Sequence, residues 1–301
     1  MIVSASRRTD IPAYYSDWLM GRIEAGYCLV ASPYDARRLT RVSLKPEDLD
    51  FLVLWTRDPR PMTRRLSELD AHGIRSYVQV TVIGYPAAIE PGAPPLDEAI
   101  DALRDLSETI GRRRVVWRYD PIVLAGALGP AFHVRNFGRI AARLEGAVER
   151  VVVSLLDEYA RTAPRLEAAG FPPSCFGTSK GGRRPSAAPP EPYPALLSEL
   201  SGIARSRGME ILACAEPYDL SGLGIGPSAC VDASLAASLW GAGAASFAGA
   251  AAKDSGQRGP CRCAKSVDIG AYGTCPRGCA YCYANRGQGR LRPRGREDER
   301  L

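Results

Sequence analysis

The residues with the clearest chemical potential lie in the last quarter of the chain. There Gly273-Thr274-Cys275-Pro276-Arg277-Gly278-Cys279-Ala280-Tyr281-Cys282-Tyr283 sets three cysteines at C-x3-C-x2-C spacing. Thiolates are soft ligands that select iron-sulfur clusters, zinc or Cu(I), and loops this short let one stretch of backbone wrap most of a single centre. Three thiolates on a four-iron cube leave its fourth iron open to substrate chemistry. Zinc sites usually pair two C-x2-C knuckles or add histidine, and the two histidines, His72 and His133, are remote in sequence from the motif. An iron-sulfur centre is therefore favoured over a mixed Cys/His zinc site, with Tyr281 and Tyr283 as apolar shielding around it.

Four further cysteines form a candidate second set: Cys214, Cys230, Cys261 and Cys263. They could hold an auxiliary [4Fe-4S] cluster or a structural zinc. Cys28 lies in an apolar run and reads as a buried small hydrophobe, and Cys175, in a proline-rich stretch, as an incidental thiol. The first ten residues carry charge where a signal peptide needs its apolar run, which predicts a cytoplasmic protein. Nine cysteines in that setting point to metal or redox chemistry rather than disulfides.

The elements that must position these groups alternate. Short Val/Ile/Leu-rich runs at 1–4, 27–31, 51–55, 77–83, 114–119, 150–155 and 209–214 have stretches of helical periodicity between them, near 14–25, 61–72, 97–110, 131–144, 159–169 and 194–207. Strand-helix alternation predicts a parallel sheet with crossover helices, and seven strands predict a full or partial TIM-like (β/α) barrel. Residues 41–44 read as an extra short strand. The division expected is a barrel over 1–255, a cysteine-rich segment over 256–285 packed over the barrel mouth, and a basic, disordered tail over 286–301.

In such a barrel the active site forms where strands run into loops, so polar residues at strand ends are the candidates. These ends read Ser6-Arg7-Arg8-Thr9-Asp10, Ser32-Pro33-Tyr34-Asp35, Trp55-Thr56-Arg57-Asp58, Arg118-Tyr119-Asp120-Pro121, Ser154-Leu155-Leu156-Asp157 and Cys214-Ala215-Glu216, with Gln79 and Thr81 inside the fourth strand. Arg118 follows Val115-Val116-Trp117, so its guanidinium needs a buried partner: Asp120, or the carboxylate of an amino-acid ligand.

Cys275-x3-Cys279-Ala280-Tyr281-Cys282 resembles the radical S-adenosylmethionine (SAM) signature, C-x3-C-x-aromatic-C. The whole chain resembles an uncharacterised family, a domain of unknown function with a C-terminal cysteine cluster. That likeness rests on Ser4-Ala5-Ser6-Arg7-Arg8-Thr9-Asp10-Ile11-Pro12, Val116-Trp117-Arg118-Tyr119-Asp120-Pro121-Ile122, Cys214-Ala215-Glu216 and Ser266-Val267-Asp268-Ile269-Gly270-Ala271-Tyr272. The signature implies that Cys275, Cys279 and Cys282 hold a [4Fe-4S] cluster whose open iron is chelated by SAM. It implies a 5'-deoxyadenosyl radical that abstracts hydrogen from substrate, and a reductant such as ferredoxin or flavodoxin. On this resemblance Arg7, Arg8, Asp10, Glu216 and Tyr281 are cofactor contacts and Arg118, Asp120 and Ser154 catalytic. The motif stands after the last strand instead of the first; in a nearly closed barrel the last strand lies beside the first, so the loop can still reach the mouth.

Composition is that of an ordinary globular protein, with 46% hydrophobic and 24% charged residues in 301. The net charge of +6 is partly local, because six Arg against three acidic residues from Arg286 onward contribute +3. Four Lys (Lys45, Lys180, Lys253 and Lys265) among 39 basic residues look like a coding bias towards Arg, so nucleic-acid binding through the tail and the Lys180-Gly181-Gly182-Arg183-Arg184 stretch is not favoured. The longest uncharged stretch, 233–252, is mostly Ala, Gly and Ser, which argues against a membrane span. An electron-transfer protein that never engages SAM is the other reading left open.

Overall fold

A computed structural model describes residues 1–33, 35, 37–157, 159–172, 189–241, 252–285 and 295–301. In chain order the strands are β1 (Ile2–Ala5), β2 (Tyr27–Ala31), β3 (Leu39–Ser43), β4 (Phe51–Thr56), β5 (Ser76–Thr81), β6 (Val115–Ile122), β7 (Arg150–Leu155), β8 (Glu210–Cys214), β9 (Gly226–Ser228) and β10 (Val267–Asp268). Eight of them make one sheet in the order β10-β1-β4-β5-β6-β7-β8-β9, every pair parallel. Runs such as Phe51-Leu52-Val53-Leu54 and Val151-Val152-Val153 are continuously apolar because helices or loops cover both faces of the sheet.

The period of two sorts side chains between those faces. On one, Val3, Leu54, Val80, Trp117 and Val153 pack into the main core under the helices, including the amphipathic Leu96–Ile110, whose Ile100, Leu103 and Leu106 are buried. On the other, Ile2, Phe51, Val53, Tyr77, Val116 and Val152 meet the helix Ala233–Trp240 and Cys261–Ala264 through a second apolar cluster. The same alternation then carries Gln79, Arg118, Asp120, Ser154 and Cys214 onto that second face, nearer the C-terminal ends of their strands.

The sheet differs from the expected barrel in three ways. It is open: among the described residues no ladder joins β9 to β10, because β9 is the three-residue Gly226-Pro227-Ser228 and β10 has two residues, and Pro227 lacks the N–H a further ladder needs. The run 27–31 is a strand outside the main sheet, paired antiparallel with β3 over Tyr27↔Ser43 to Ala31↔Leu39. Its one-sided burial fits a hairpin packed on the body rather than a barrel strand. Third, β10 pairs with β1 through Val3↔Val267 and Ser4↔Asp268, so part of the 256–285 segment is built into the sheet.

The end of the chain is docked. Trp18 Nε1 donates to the Asp298 carbonyl at 2.7 Å, Arg22 Nη2 to that of Arg296 at 2.9 Å and Leu29 N to that of Glu299 at 2.7 Å, while Leu301 is buried. Residues 295–301 are thus held against the Ser16–Glu24 helix and β2, unlike the free tail expected from composition. The rest of the tail from Arg286, Cys175 and the 180–184 stretch fall outside the described residues. Among the described residues no helix is long and apolar enough to cross a membrane.

His133, on the helix Pro130–Leu144, is buried with Nδ1 2.9 Å from Tyr119 Oη and Nε2 2.9 Å from the Val123 carbonyl. The Val123 carbonyl fixes the proton on Nε2, so Nδ1 accepts from the tyrosine in the neutral ring. Burial holds its pKa down at about 4. Between the ordinary value near 6.5 and that value, the unfolded chain binds a proton that the folded chain refuses, so stability falls as pH drops through this window. Unfolding free energy measured in urea at pH 7 and pH 4.5 is expected to differ by about 2–3 kcal/mol more in the wild type than in His133→Gln. Equal differences in the two proteins would refute this.

Candidate functional site

At the C-terminal ends of the parallel strands lies a cavity of about 830 Å³. It collects residues from distant parts of the chain: Arg7, Arg8 and Asp10 after β1, Arg118 and Asp120 on β6, Ser154 on β7, Cys214 on β8, and then Cys230, Cys261, Cys263, Cys275, Cys279, Tyr281 and Cys282. Of the residues to which the radical SAM resemblance gives a role, Glu216 is absent from the lining. Its Oε1 accepts from Leu155 N at 2.8 Å, and burial raises its pKa to about 8. Cys28 is buried away from the cavity, where desolvation pushes the thiol up to about 12.

The cysteine loop reaches this place because β10 lies beside β1. Asp268, 7% exposed, accepts from Ser4 Oγ at 3.1 Å, Ser6 Oγ at 2.7 Å, Arg7 N at 2.8 Å and Gly270 N at 3.0 Å, and pairs with Arg7 Nε at 3.5 Å. Gly270 is required by this approach, since a Cβ there would stand 2.0 Å from Ser6 Oγ.

Beyond that anchor the motif is tied down from several sides. Arg277 Nε pairs with Asp10 Oδ2 at 2.8 Å, Arg277 Nη1 donates to the Gly92 carbonyl at 2.6 Å, Ala280 N to that of Ile89 at 2.9 Å, and Arg165 Nη2 to that of Cys282 at 2.7 Å. Gly92 permits the contact, because a Cβ would meet the Arg277 backbone at 2.8 Å. Asp10 also caps the Ile11–Tyr14 turn through Ala13 N and accepts from Arg57 N at 3.0 Å. Arg57 and Glu90 form a buried ion pair at 2.7 Å, and the Tyr281 hydroxyl bonds to both. Burial pushes the Cys279 thiol up to about 12, opposed by Arg57; burial raises Cys275 as well, opposed by the backbone N–H groups of Arg277 and Asp10.

At the opposite wall Arg118 is buried. Its Nε donates to Asp120 Oδ2 at 3.0 Å and its Nη1 to Gln79 Oε1 at 2.8 Å and to Cys230 Sγ at 3.1 Å. Ser154 Oγ donates to Asp120 Oδ1. Desolvation works against the charge of Arg118, but Asp120 and the Cys230 and Cys214 sulfurs outweigh it and hold the group cationic. Asp120 is thus the partner that the buried arginine requires. Ala215, between Cys214 and Glu216, takes a left-handed φ of 55°, an unfavourable backbone that re-aims the chain at the end of β8.

The fit to a metal is one of chemistry. The three motif cysteines are soft donors around one cavity, Cys279 buried and the other two partly exposed. Among the described residues no group of three or more His, Cys, Asp or Glu already stands at metal-binding geometry.

The family described as "Domain of unknown function (DUF1848)" matches residues 2–284. The chain belongs to this family. The match takes in the DUF1848 chain from β1 through Cys282, so sheet and cysteine loop fall in one family unit. No curated protein matches the chain. Among solved structures, the tandem GH20 catalytic modules of the pneumococcal exo-β-D-N-acetylglucosaminidase StrH align at 10% identity over 72% of this chain with a TM-score of 0.25. The alignment spans 53% of that chain's length.

Three residues now central to the DUF1848 site were given no role from sequence: Glu90, Asp268 and Arg277. Arg277 stands inside the motif, which is the signal that could have found it. Glu90 and Asp268 acquire their meaning only from partners far away in sequence, Asp268 through a hydrogen bond to Ser4 at a separation of 264.

Proposed function

We propose that this protein is an iron-sulfur enzyme in which Cys275, Cys279 and Cys282 hold a [4Fe-4S] cluster that works with S-adenosylmethionine on a substrate bound in the same cavity. The observation that carries the reading is the convergence of the motif cysteines with Arg7, Arg8, Arg118, Asp120 and Ser154 around one cavity at the ends of parallel strands. With SAM bound, such a cluster supplies one-electron reductive cleavage to methionine and a 5'-deoxyadenosyl radical, fed by a low-potential donor such as ferredoxin or flavodoxin.

The chain's own residues divide by what their polar atoms already do. Asp10 and Tyr281 spend their polar atoms on Arg277, Arg57 and Glu90, so they are positioning residues rather than ligand contacts, and Glu216 holds Leu155 N from outside the cavity lining. Arg7 and Arg8 face the cavity, and Arg7 Nη1 is buried without a hydrogen-bond partner, a donor suited to a ligand carboxylate. Arg8 lies over the Tyr272 ring at 5.1 Å, and Tyr283 stands 6.5 Å from Tyr272 and 5.6 Å from Tyr159. This aromatic rim suits a flat heterocycle such as adenine. Arg118, braced by Asp120 with Ser154 behind it, offers polar contacts to substrate from the far wall.

The test is anaerobic reconstitution with iron and sulfide, EPR of the reduced protein with and without SAM, and chromatographic measurement of 5'-deoxyadenosine. Wild type is expected to form it, and Cys279→Ala to lose at least about 100-fold of that activity, since a cluster missing one of three ligands is not retained. An intact, reducible wild-type cluster that makes no 5'-deoxyadenosine would sink the proposal.

A further inference from the structure

The second set of cysteines comes from three separate stretches of chain. Cys214 ends β8, Cys230 lies two residues past β9, and Cys261 and Cys263 lie on the approach to β10. They meet at one end of the cavity. Cys214 Sγ and Cys230 Sγ are 2.9 Å apart, and Cys261 and Cys263 line the same part of the cavity. Backbone N–H groups point at two of the sulfurs, Val231 N at Cys263 Sγ (3.4 Å) and Cys263 N at Cys261 Sγ (3.5 Å). A guanidinium donates to a third, Arg118 Nη1 to Cys230 Sγ at 3.1 Å. A buried cation and amides aimed at sulfur stabilise the thiolate form that a metal ligand takes.

Spacing decides between the kinds of centre. The ligands of a four-iron cube sit on its outer corners, too far apart for their sulfurs to touch. A single tetrahedral ion with metal–sulfur bonds of about 2.3 Å holds its four sulfurs roughly 3.7 Å apart. The Cys214 and Cys230 sulfurs are in contact, closer than two corners of a cube allow, and need to separate by less than about 1 Å to reach tetrahedral spacing.

We propose that Cys214, Cys230, Cys261 and Cys263 form a tetrathiolate site for one Zn²⁺ ion that clasps the two open edges of the sheet. Those edges are β9 and β10, and Cys230 follows the first while Cys261 and Cys263 precede the second. The backbone already meets there, Ala264 N donating to the Val231 carbonyl at 3.0 Å. A zinc ion ties together strands of three and two residues that are too short, and in β9 too proline-restricted, to close by a ladder. On binding, four S–H groups release four protons and four Zn–S bonds form, leaving a unit of charge −2 beside the guanidinium groups of Arg118 and Arg7.

The experiment uses the full chain carrying Cys275→Ser, Cys279→Ser and Cys282→Ser together, so that the motif contributes no metal and the result is independent of the SAM proposal. This triple variant is expected to hold one zinc per chain by elemental analysis, and its Co²⁺ form to show the strong visible bands and thiolate charge-transfer absorption of a tetrahedral four-sulfur site. Adding Cys230→Ser, or Cys261→Ser with Cys263→Ser, is expected to weaken zinc binding at least about 100-fold. Three results overturn the proposal: no zinc in the triple variant, four iron with sulfide in place of zinc after reconstitution, or undiminished zinc binding without Cys261 and Cys263. If the added substitutions unfold the chain, the zinc count and cobalt spectrum of the triple variant alone still decide.

Discussion

Asp268→Ala is expected to destabilise the fold by about 3–5 kcal/mol, the range for leaving buried polar and charged partners without their counterpart. One carboxylate in a two-residue strand takes the hydroxyls of Ser4 and Ser6, the N–H groups of Arg7 and Gly270, and the Arg7 guanidinium. Two parallel register pairs give β10 little hold of its own on β1, so the carboxylate is the main tie between the first strand and the cysteine loop. Removing it orphans the fully buried Ser4 hydroxyl and leaves the Arg7 guanidinium without its carboxylate. Asp268→Asn keeps one acceptor oxygen and the shape, and is expected to lose about half as much. Urea unfolding of the metal-free proteins checks both; an Asp268→Ala loss below about 1 kcal/mol would mean that the loop is held chiefly elsewhere.

What the sequence discloses of this molecule follows the range of the forces involved. The Leu96–Ile110 helix was legible almost to the residue because its apolar spacing and its end at Gly111, φ 86°, are local. β4, β6 and β7 were legible because strands buried on both faces are apolar throughout. Gly226-Pro227-Ser228 carries the signature of a turn, and two residues at Val267-Asp268 carry no period at all, so both sheet edges went unread and with them the openness of the sheet. Tyr27–Ala31 reads as any short strand, and the choice of a hairpin partner over a place in the sheet is made by tertiary packing.

Within the site, Arg118, Asp120, Ser154 and Cys214 were legible because polar residues interrupting apolar strands at alternate positions must share a face. Asp10 and Tyr281 lie on the cavity wall, and the pairing of Asp10 with Arg277 across 267 residues could not be read from local sequence.

Glu90→Ala is expected to cost about 3–5 kcal/mol as well, by a different route. Glu90, 2% exposed, is the carboxylate facing Arg57, and its Oε1 lies 2.7 Å from Arg57 Nη2 and accepts from the Tyr281 hydroxyl. Without it a buried guanidinium stands unpaired beside the tyrosine that separates Cys279 from Cys282, and its charge is felt at Cys279 itself. The two substitutions are expected to be non-additive: Arg57→Met with Glu90→Leu removes both charges and fills the space, so the double variant is expected to be more stable than Glu90→Ala alone. The loop offers a second reading of the same event. Ala280 N is bonded to the Ile89 carbonyl, one residue from Glu90, so a loosened Glu90 segment exposes Cys279 and a small thiol reagent should label it faster in Glu90→Ala than in the double variant. A double variant no more stable than the single one would show that Glu90 acts through its packing, and that the charge on Arg57 is tolerated beside the cysteine loop without a partner.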